Sequence, residues 1–105
     1  MRIWLDDERP APDGWVRCLW PSEVIDLLVA HEDVTDVSLD HDLGDDERGT
    51  GNDVLLWIEE QVALNGYDPP TLRVHSANSS AAQKMWAAIA QIHWIHRERL
   101  TGRWS

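Results

Sequence analysis

Short apolar runs that alternate with helical segments constrain the fold of this chain more than any other feature. Four runs have the length of strands: residues 2–5, 15–20, 34–39 and 71–75. Three segments carry apolar residues at helical spacing: about residues 23–31, 52–65 and 79–98. The order ββαβαβα predicts an α/β fold, with a small, open, mostly parallel four-stranded sheet and three helices in a three-layer sandwich. A length of 105 residues fits one domain over residues 1–105.

Local signals predict where the helices begin and end. Ser22 is the expected N-cap of the first helix. Asn65 or Gly66 is expected to take the left-handed conformation that ends the second. Ser79 or Ser80 is expected to cap the third.

Charge and composition narrow the function classes. The net charge is −10, which argues against an extended nucleic-acid surface but not against a short phosphorylated ligand bridged by a cation. The one cysteine, Cys18, allows no internal disulfide and is expected to be a buried thiol. No signal peptide and no apolar run of membrane-spanning length are visible, so we expect a cytoplasmic protein with no membrane partner. The sequence does not indicate an oligomeric state.

Polar side chains follow three of the four predicted strands at the point where each strand ends. The residues concerned are Asp6 and Asp7, then Asp40, His41 and Asp42, and then His75, Ser76 and Asn78. Ligands of open parallel sheets bind beyond the carboxyl ends of the strands. If the first, third and fourth strands are neighbours, these side chains meet in one site. Each ending taken alone is equally consistent with a loop start, a turn or a helix cap.

The chemistry of such a set is that of a metal-assisted phosphate site. Clustered carboxylates stay ionised when a cation lies between them, and oxygen ligands favour Mg²⁺ or Mn²⁺. Asp6, Asp7, Asp40 and Asp42 are the candidate metal ligands. A histidine titrates near neutral pH, so His41 or His75 is a candidate general acid or base.

Three further residues are candidates for binding the phosphate. Ser76 and Asn78 offer a hydroxyl and an amide at the start of the third helix, where anions bind favourably. Arg9 would add positive charge, or would pair with the acids.

The site residues resemble those of the receiver domains of two-component signalling. Asp6 and Asp7 match the metal-binding acid pair of that family, Asp40 its phosphoacceptor, and Ser76 its hydroxyl residue. Two departures are visible. A loop replaces the helix between the first two strands, and the fifth strand with its lysine has no counterpart. Lys84 lies in a predicted helix and does not match that lysine.

The motifs "LDDERPAP", "SLDHDLG", "GNDVLLWI" and "HSANSSAAQKM" resemble more closely the compact receiver-like family named for cyclic-phosphate processing. That resemblance implies a metal-dependent phosphoesterase-like domain that acts on RNA ends with a 2′,3′-cyclic phosphate, or on cyclic nucleotides. Asp40 would be a nucleophile towards phosphorus or a metal ligand. Two alternatives stay open: a non-enzymatic receiver-like module that binds a partner or accepts phosphate, and a protein that binds a cyclic nucleotide without turnover.

Overall fold

A computed structural model describes residues 1–41, 49–76 and 79–102 of the chain. Four strands and three helices follow one another in the predicted order: β1 (Arg2–Leu5), β2 (Trp15–Cys18), α1 (Pro21–Ala30), β3 (Asp36–Leu39), α2 (Gly51–Asn65), β4 (Thr71–Val74) and α3 (Ser79–Leu100). The strands form one sheet in the order β2-β1-β3-β4, and all three neighbouring pairs are parallel. The predicted α/β receiver-like fold class is confirmed, and β1, β3 and β4 are neighbours.

One face of the sheet forms the core together with the helices. Alternate strand residues are fully or almost fully buried there, as a period of two requires: Ile3, Leu5, Val37, Leu39 and Leu72. The helices cover them with apolar side chains at helical spacing, which include Val54, Ile58, Val62, Met85, Ile89 and Ile92. Cys18 is buried in this core, as predicted. Trp86 and Trp94 lie off the buried stripe of α3 and are exposed.

The layering differs from the predicted three-layer sandwich. The connections from β2 to β3 and from β3 to β4 run across the sheet in the same direction, so right-handed crossovers place α1 and α2 on the same face. Helix α2 packs against both α1 and α3. The connection from β1 to β2, which runs the opposite way, is a loop without a helix. Within residues 1–41, 49–76 and 79–102, the other face of the sheet therefore carries no helix.

The helix starts differ in detail from the prediction. Helix α1 begins at Pro21 with Trp20 as its N-cap, so the assignment of Ser22 as the cap was wrong. Proline suits the first helical position because its missing N–H would have no partner there. The side chain that caps this end is Glu23, which accepts hydrogen bonds from the backbone N–H groups of Leu19 and Trp20.

Helix α2 has a reciprocal cap. The Thr50 hydroxyl accepts from the N–H of Asn52, and the Asp53 carboxylate accepts from the N–H of Thr50 at 2.7 Å. Its other end is closed by Gly66 in the left-handed conformation, which is one of the two predicted alternatives. Among the described residues, no helix combines the length and the apolar character that crossing a membrane demands.

Candidate functional site

Backbone pairing continues one residue beyond the strands and brings the candidate residues side by side. The N–H of Asp40 donates to the carbonyl of Leu5, and the N–H of His75 donates to the carbonyl of Leu39, both at 3.0 Å. The N–H of Asp6 donates to Cys18 on the other side. Neighbouring strands lie about 4.8 Å apart, so these bonds fix the spacing of the site.

Asp6 is fully buried and holds the loop that follows β1. Its Oδ1 atom accepts hydrogen bonds from the backbone N–H groups of Glu8 and Arg9, both at 2.9 Å. Its Oδ2 atom contacts Nε2 of His75 at 3.2 Å. A carboxylate offers about four lone-pair positions. These contacts occupy three of the positions, so within residues 1–41, 49–76 and 79–102 one position on Oδ2 has no partner.

The charged form of Asp6 is favoured despite its burial. Burial by itself would raise the pKa of this carboxyl. The N–H donors of Arg9 and Glu8 and the His75 ring outweigh that effect and lower the pKa below its ordinary value. Asp6 is therefore a preformed anion at the centre of the site.

His75 has a partner at each ring nitrogen. Nδ1 lies 2.7 Å from the Ser38 hydroxyl, and Nε2 faces the Asp6 carboxylate. The ring stacks on Trp4 with centroids 3.7 Å apart and planes only 5° from parallel. Burial, together with the positive charge of Arg9, lowers the pKa of His75 below its ordinary value, although the carboxylates of Asp6 and Asp40 act in the opposite direction. The neutral ring then donates from Nε2 to Asp6 and accepts at Nδ1 from Ser38.

Three of the four predicted metal ligands come together. Asp6, Asp7 and Asp40 each contribute one carboxylate oxygen to a group in which all oxygens lie within 4.8 Å of one another. Asp6 and Asp40 are buried and Asp7 is partly buried. Three converging carboxylates fit the oxygen-donor chemistry of a hard divalent cation. The fourth candidate, Asp42, lies outside the described residues.

The start of α2 packs directly against this group. A Cβ atom added at Gly51 would lie only 2.2 Å from the backbone carbonyl oxygen of Asp40 and 2.9 Å from Cε of Met85. No other residue type fits without movement at this position. The glycine thus lets helix α2 hold the backbone of Asp40 in place.

Two of the three predicted phosphate-binding residues, Arg9 and Ser76, lie at the same edge of the sheet. The Arg9 guanidinium donates from Nη1 to the carbonyl of His75 at 2.8 Å, which ties the loop after β1 to the end of β4. Ser76 follows directly and is partly buried. Asn78 lies outside the described residues. The remaining predicted residue, His41, follows Asp40 and is also partly buried.

A cavity of about 290 Å³ lies between the N-terminal ends of α2 and α3 and reaches His41, the residue after Asp40. Its walls include His41, Asn52, Ser80 and Lys84. Lys84 could not be included from the sequence, because a lysine inside a helical segment looks like an ordinary surface residue. Its place six residues along α3, beyond a polar helix start, is the signal that could have indicated it.

A family model described as the cyclic-phosphate processing receiver domain matches residues 1–91 of the chain. The match spans all four strands, the carboxylate group and the first part of α3. The chain belongs to this family. The cyclic-phosphate processing receiver domain is thus built here on a four-stranded sheet, with the acid pair after β1 and the third aspartate after β3. No curated protein and no solved structure matched the chain.

Proposed function

We propose that this receiver domain is a metal-dependent phosphoesterase that opens cyclic phosphates, either at RNA ends or in cyclic nucleotides. The observation that carries the proposal is the group of three carboxylates, Asp6, Asp7 and Asp40, at the carboxyl ends of β1 and β3. A group of this kind needs a counter-charge, and family membership supplies the class of substrate. Mg²⁺ or Mn²⁺ is the proposed cofactor.

Each residue has a proposed role. Asp6, Asp7 and Asp40 would hold the divalent cation, which when bound polarises phosphate oxygens and offsets their negative charge. Arg9, Ser76 and Asn78 would bind the phosphate, with Lys84 as a further cation beside the cavity.

Proton transfer is assigned to His41 rather than to His75. Ring opening forms a bond between phosphorus and an incoming oxygen and breaks a ribose oxygen–phosphorus bond, so the ribose oxygen must gain a proton. Both nitrogens of His75 already have partners in Ser38 and Asp6. We therefore give His75 the role of orienting the Asp6 carboxylate, and the lining of the cavity by His41 supports its role as acid or base.

The test is hydrolysis of 2′,3′-cyclic nucleotides and of a short RNA with a 2′,3′-cyclic phosphate end, in Mg²⁺, Mn²⁺ or EDTA. We expect ring opening with metal and none in EDTA. Asp40→Asn should abolish turnover, and His41→Ala should reduce it by about 10²–10⁴-fold, the usual contribution of a general acid or base. His75→Gln should weaken the binding of the metal that activity requires, but the acid–base limb of the pH profile should remain.

The matched control is Asp33→Asn, which removes one exposed carboxylate far from the site. It should keep full activity. Absence of turnover with either metal, in protein shown to be folded, would reject the phosphoesterase. Binding of the cyclic nucleotide without turnover would leave the sequestering alternative.

A second candidate function is phosphoryl acceptance on Asp40 by a non-enzymatic receiver module. The same three carboxylates favour it, because a receiver needs an acid pair beside its acceptor. Incubation with acetyl phosphate and Mg²⁺, followed by mass measurement, tests it. A gain of one phosphoryl group that Asp40→Asn removes, without turnover of cyclic phosphates, would favour this module over the esterase.

A further inference from the structure

The uncovered face of the sheet has a composition unlike the rest of the protein. Side chains that alternate with the buried core residues lie on this face: Arg2 and Trp4 of β1, Trp15 and Arg17 of β2, Asp36 and Ser38 of β3, and Thr71 and Arg73 of β4. Among them are two tryptophans and three exposed arginines, and within the described residues no helix covers them. His75 and Asp6 form the end of this face at the carboxyl ends of the strands, so the face is continuous with the carboxylate site.

The charge of this face is opposite to that of the chain. The whole chain carries a net charge of −10 with nine lysine and arginine residues, and three of the nine, Arg2, Arg17 and Arg73, lie on this face. The acid among the strand residues of this face, Asp36, lies 3.7 Å from both Arg2 and Arg73. These two guanidiniums are more than half exposed, so they retain donors that face solvent. A locally basic face on an acidic protein complements a polyanion.

Flat side chains occupy the centre of the face. Trp4 and Trp15 meet edge to face, with ring centroids 6.0 Å apart. Arg2 lies over Trp15 at 5.9 Å, near the outer limit of a cation–π contact. Unpaired bases stack on aromatic rings and on guanidinium planes, whereas phosphates contact arginines. A four-stranded sheet that presents both kinds of group is suited to a single strand of nucleic acid.

A second copy of this chain fits the face poorly. A two-fold dimer places the same patch against itself. The patch that carries Arg2, Arg17 and Arg73 would then face the identical patch of the other copy, and two chains of net charge −10 would also repel each other. The charges therefore favour an anionic strand over a homodimer.

We propose that the open face of the sheet binds two or three nucleotides of single-stranded RNA that lead to the carboxylate site. Bases contact Trp15 and the exposed guanidinium planes, and phosphates contact Arg2, Arg17 and Arg73. The inference that the strand ends in a cyclic phosphate rests on the proposed function, but binding of the strand does not. If it holds, an RNA end is preferred to a free cyclic nucleotide as the substrate.

The test uses a fluorescein-labelled hexamer of uridine with an ordinary 3′-hydroxyl end, in EDTA, with binding followed by anisotropy at increasing NaCl. Neither a cyclic phosphate nor a metal is present, so a failure of the proposed hydrolysis cannot affect the result. Three phosphate contacts predict a slope of log affinity against log salt of about −2, since each contact to a single strand contributes about −0.7. Arg73→Ala should reduce the slope by about 0.7 and weaken binding.

A variant with the opposite sign separates binding from folding defects. Asp36→Asn removes the acid that competes with phosphate for Arg2 and Arg73, so it should tighten binding by about two- to five-fold. Arg97→Ala on α3, away from this face, is the charge-matched control and should leave the slope unchanged.

Two results would overturn the proposal. One is no binding of the hexamer by folded protein at low salt, which would leave the face to a protein partner. The other is equal weakening by Arg73→Ala and Arg97→Ala, which would mean that the RNA responds only to overall charge. Binding of the hexamer with the predicted slopes, in a protein that hydrolyses no cyclic phosphate, would support the RNA surface and reject the esterase.

Discussion

Replacing Asp40 by asparagine should make the metal-free protein more stable, although Asp40 is a buried polar residue in the centre of the site. One oxygen of its carboxylate lies within 4.8 Å of a carboxylate oxygen of Asp6 and of one of Asp7. At that separation and an effective dielectric constant of about 20, two charges repel by about 3.5 kcal/mol. Hydrogen bonds, partial exposure of Asp7 and dissolved salt offset most of this, so we expect a net gain of about 1–2 kcal/mol.

Thermal unfolding followed by circular dichroism measures the effect. For a domain of this size, 1 kcal/mol corresponds to a shift in Tm of about 4–8 °C, so Asp40→Asn should unfold about 4–16 °C above the wild type in EDTA. A cation at 100 times its Kd stabilises the folded state by about 2.7 kcal/mol. The wild type should therefore gain about 10–20 °C with saturating Mg²⁺ or Mn²⁺, and Asp40→Asn should gain much less.

The order of the two proteins should thus invert when metal is added. Asp33→Asn is the control, because it removes the same charge from an exposed position and should respond to metal like the wild type. A lower Tm for Asp40→Asn in EDTA would show that the three carboxylates do not repel in the folded state. An equal gain with metal in both proteins would show that Asp40 is not a ligand.

Three other outcomes follow from the packing and the pKa values. Gly51→Ala should destabilise the protein by about 1–3 kcal/mol in denaturant titration and weaken metal binding, because its Cβ would displace the carbonyl of Asp40. Burial, together with the charge of Glu23, raises the pKa of Cys18 from 9.0 to about 11. Alkylation of Cys18 at pH 8 should therefore be at least about 100-fold slower in the folded protein than in the protein unfolded in urea. The free energy of unfolding should also fall as the pH rises from 9 towards 11, because only the unfolded chain loses the thiol proton in that range. The pKa of His75 is lowered in the folded state, so the unfolded chain binds a proton at a pH at which the folded chain does not. Stability should therefore fall as the pH drops below about 6.5, and His75→Gln should make that fall smaller.

The sequence predicts the strands and their ends well because both depend on local pattern. Leu5, Leu39 and Val74 each end an apolar run, and a polar residue follows each of them in the next position. Parallel pairing then requires Asp6, Asp40 and His75 to share one edge. Their meeting could be predicted because strand ends and strand neighbours were enough to determine it.

Contacts made across the sheet could not be predicted in the same way. Ser38 and Trp4 lie within strands and look like ordinary strand residues. In the structure, however, the Ser38 hydroxyl contacts Nδ1 of His75, and the Trp4 ring stacks on the His75 ring. Those contacts depend on a side chain from β4 that reaches over β3 to β1. The register of three strands must be known before such a contact can be inferred.

One local feature, the short connection between β1 and β2, accounts for both the open face and the anchoring of Asp6. In a receiver a helix joins these strands and covers the sheet. Here residues 6–14 form a loop, because Pro10 and Pro12 lack the backbone N–H that the interior of a helix needs. The Oδ1 atom of Asp6 accepts hydrogen bonds from the N–H groups of Glu8 and Arg9 at the start of this loop. Arg9 then reaches the end of β4 and closes the loop over the site. Because no helix covers them within the described residues, Trp15 and the arginines of the sheet are accessible. The same loop that anchors Asp6, a candidate metal ligand, therefore also creates the surface on which we propose that RNA binds.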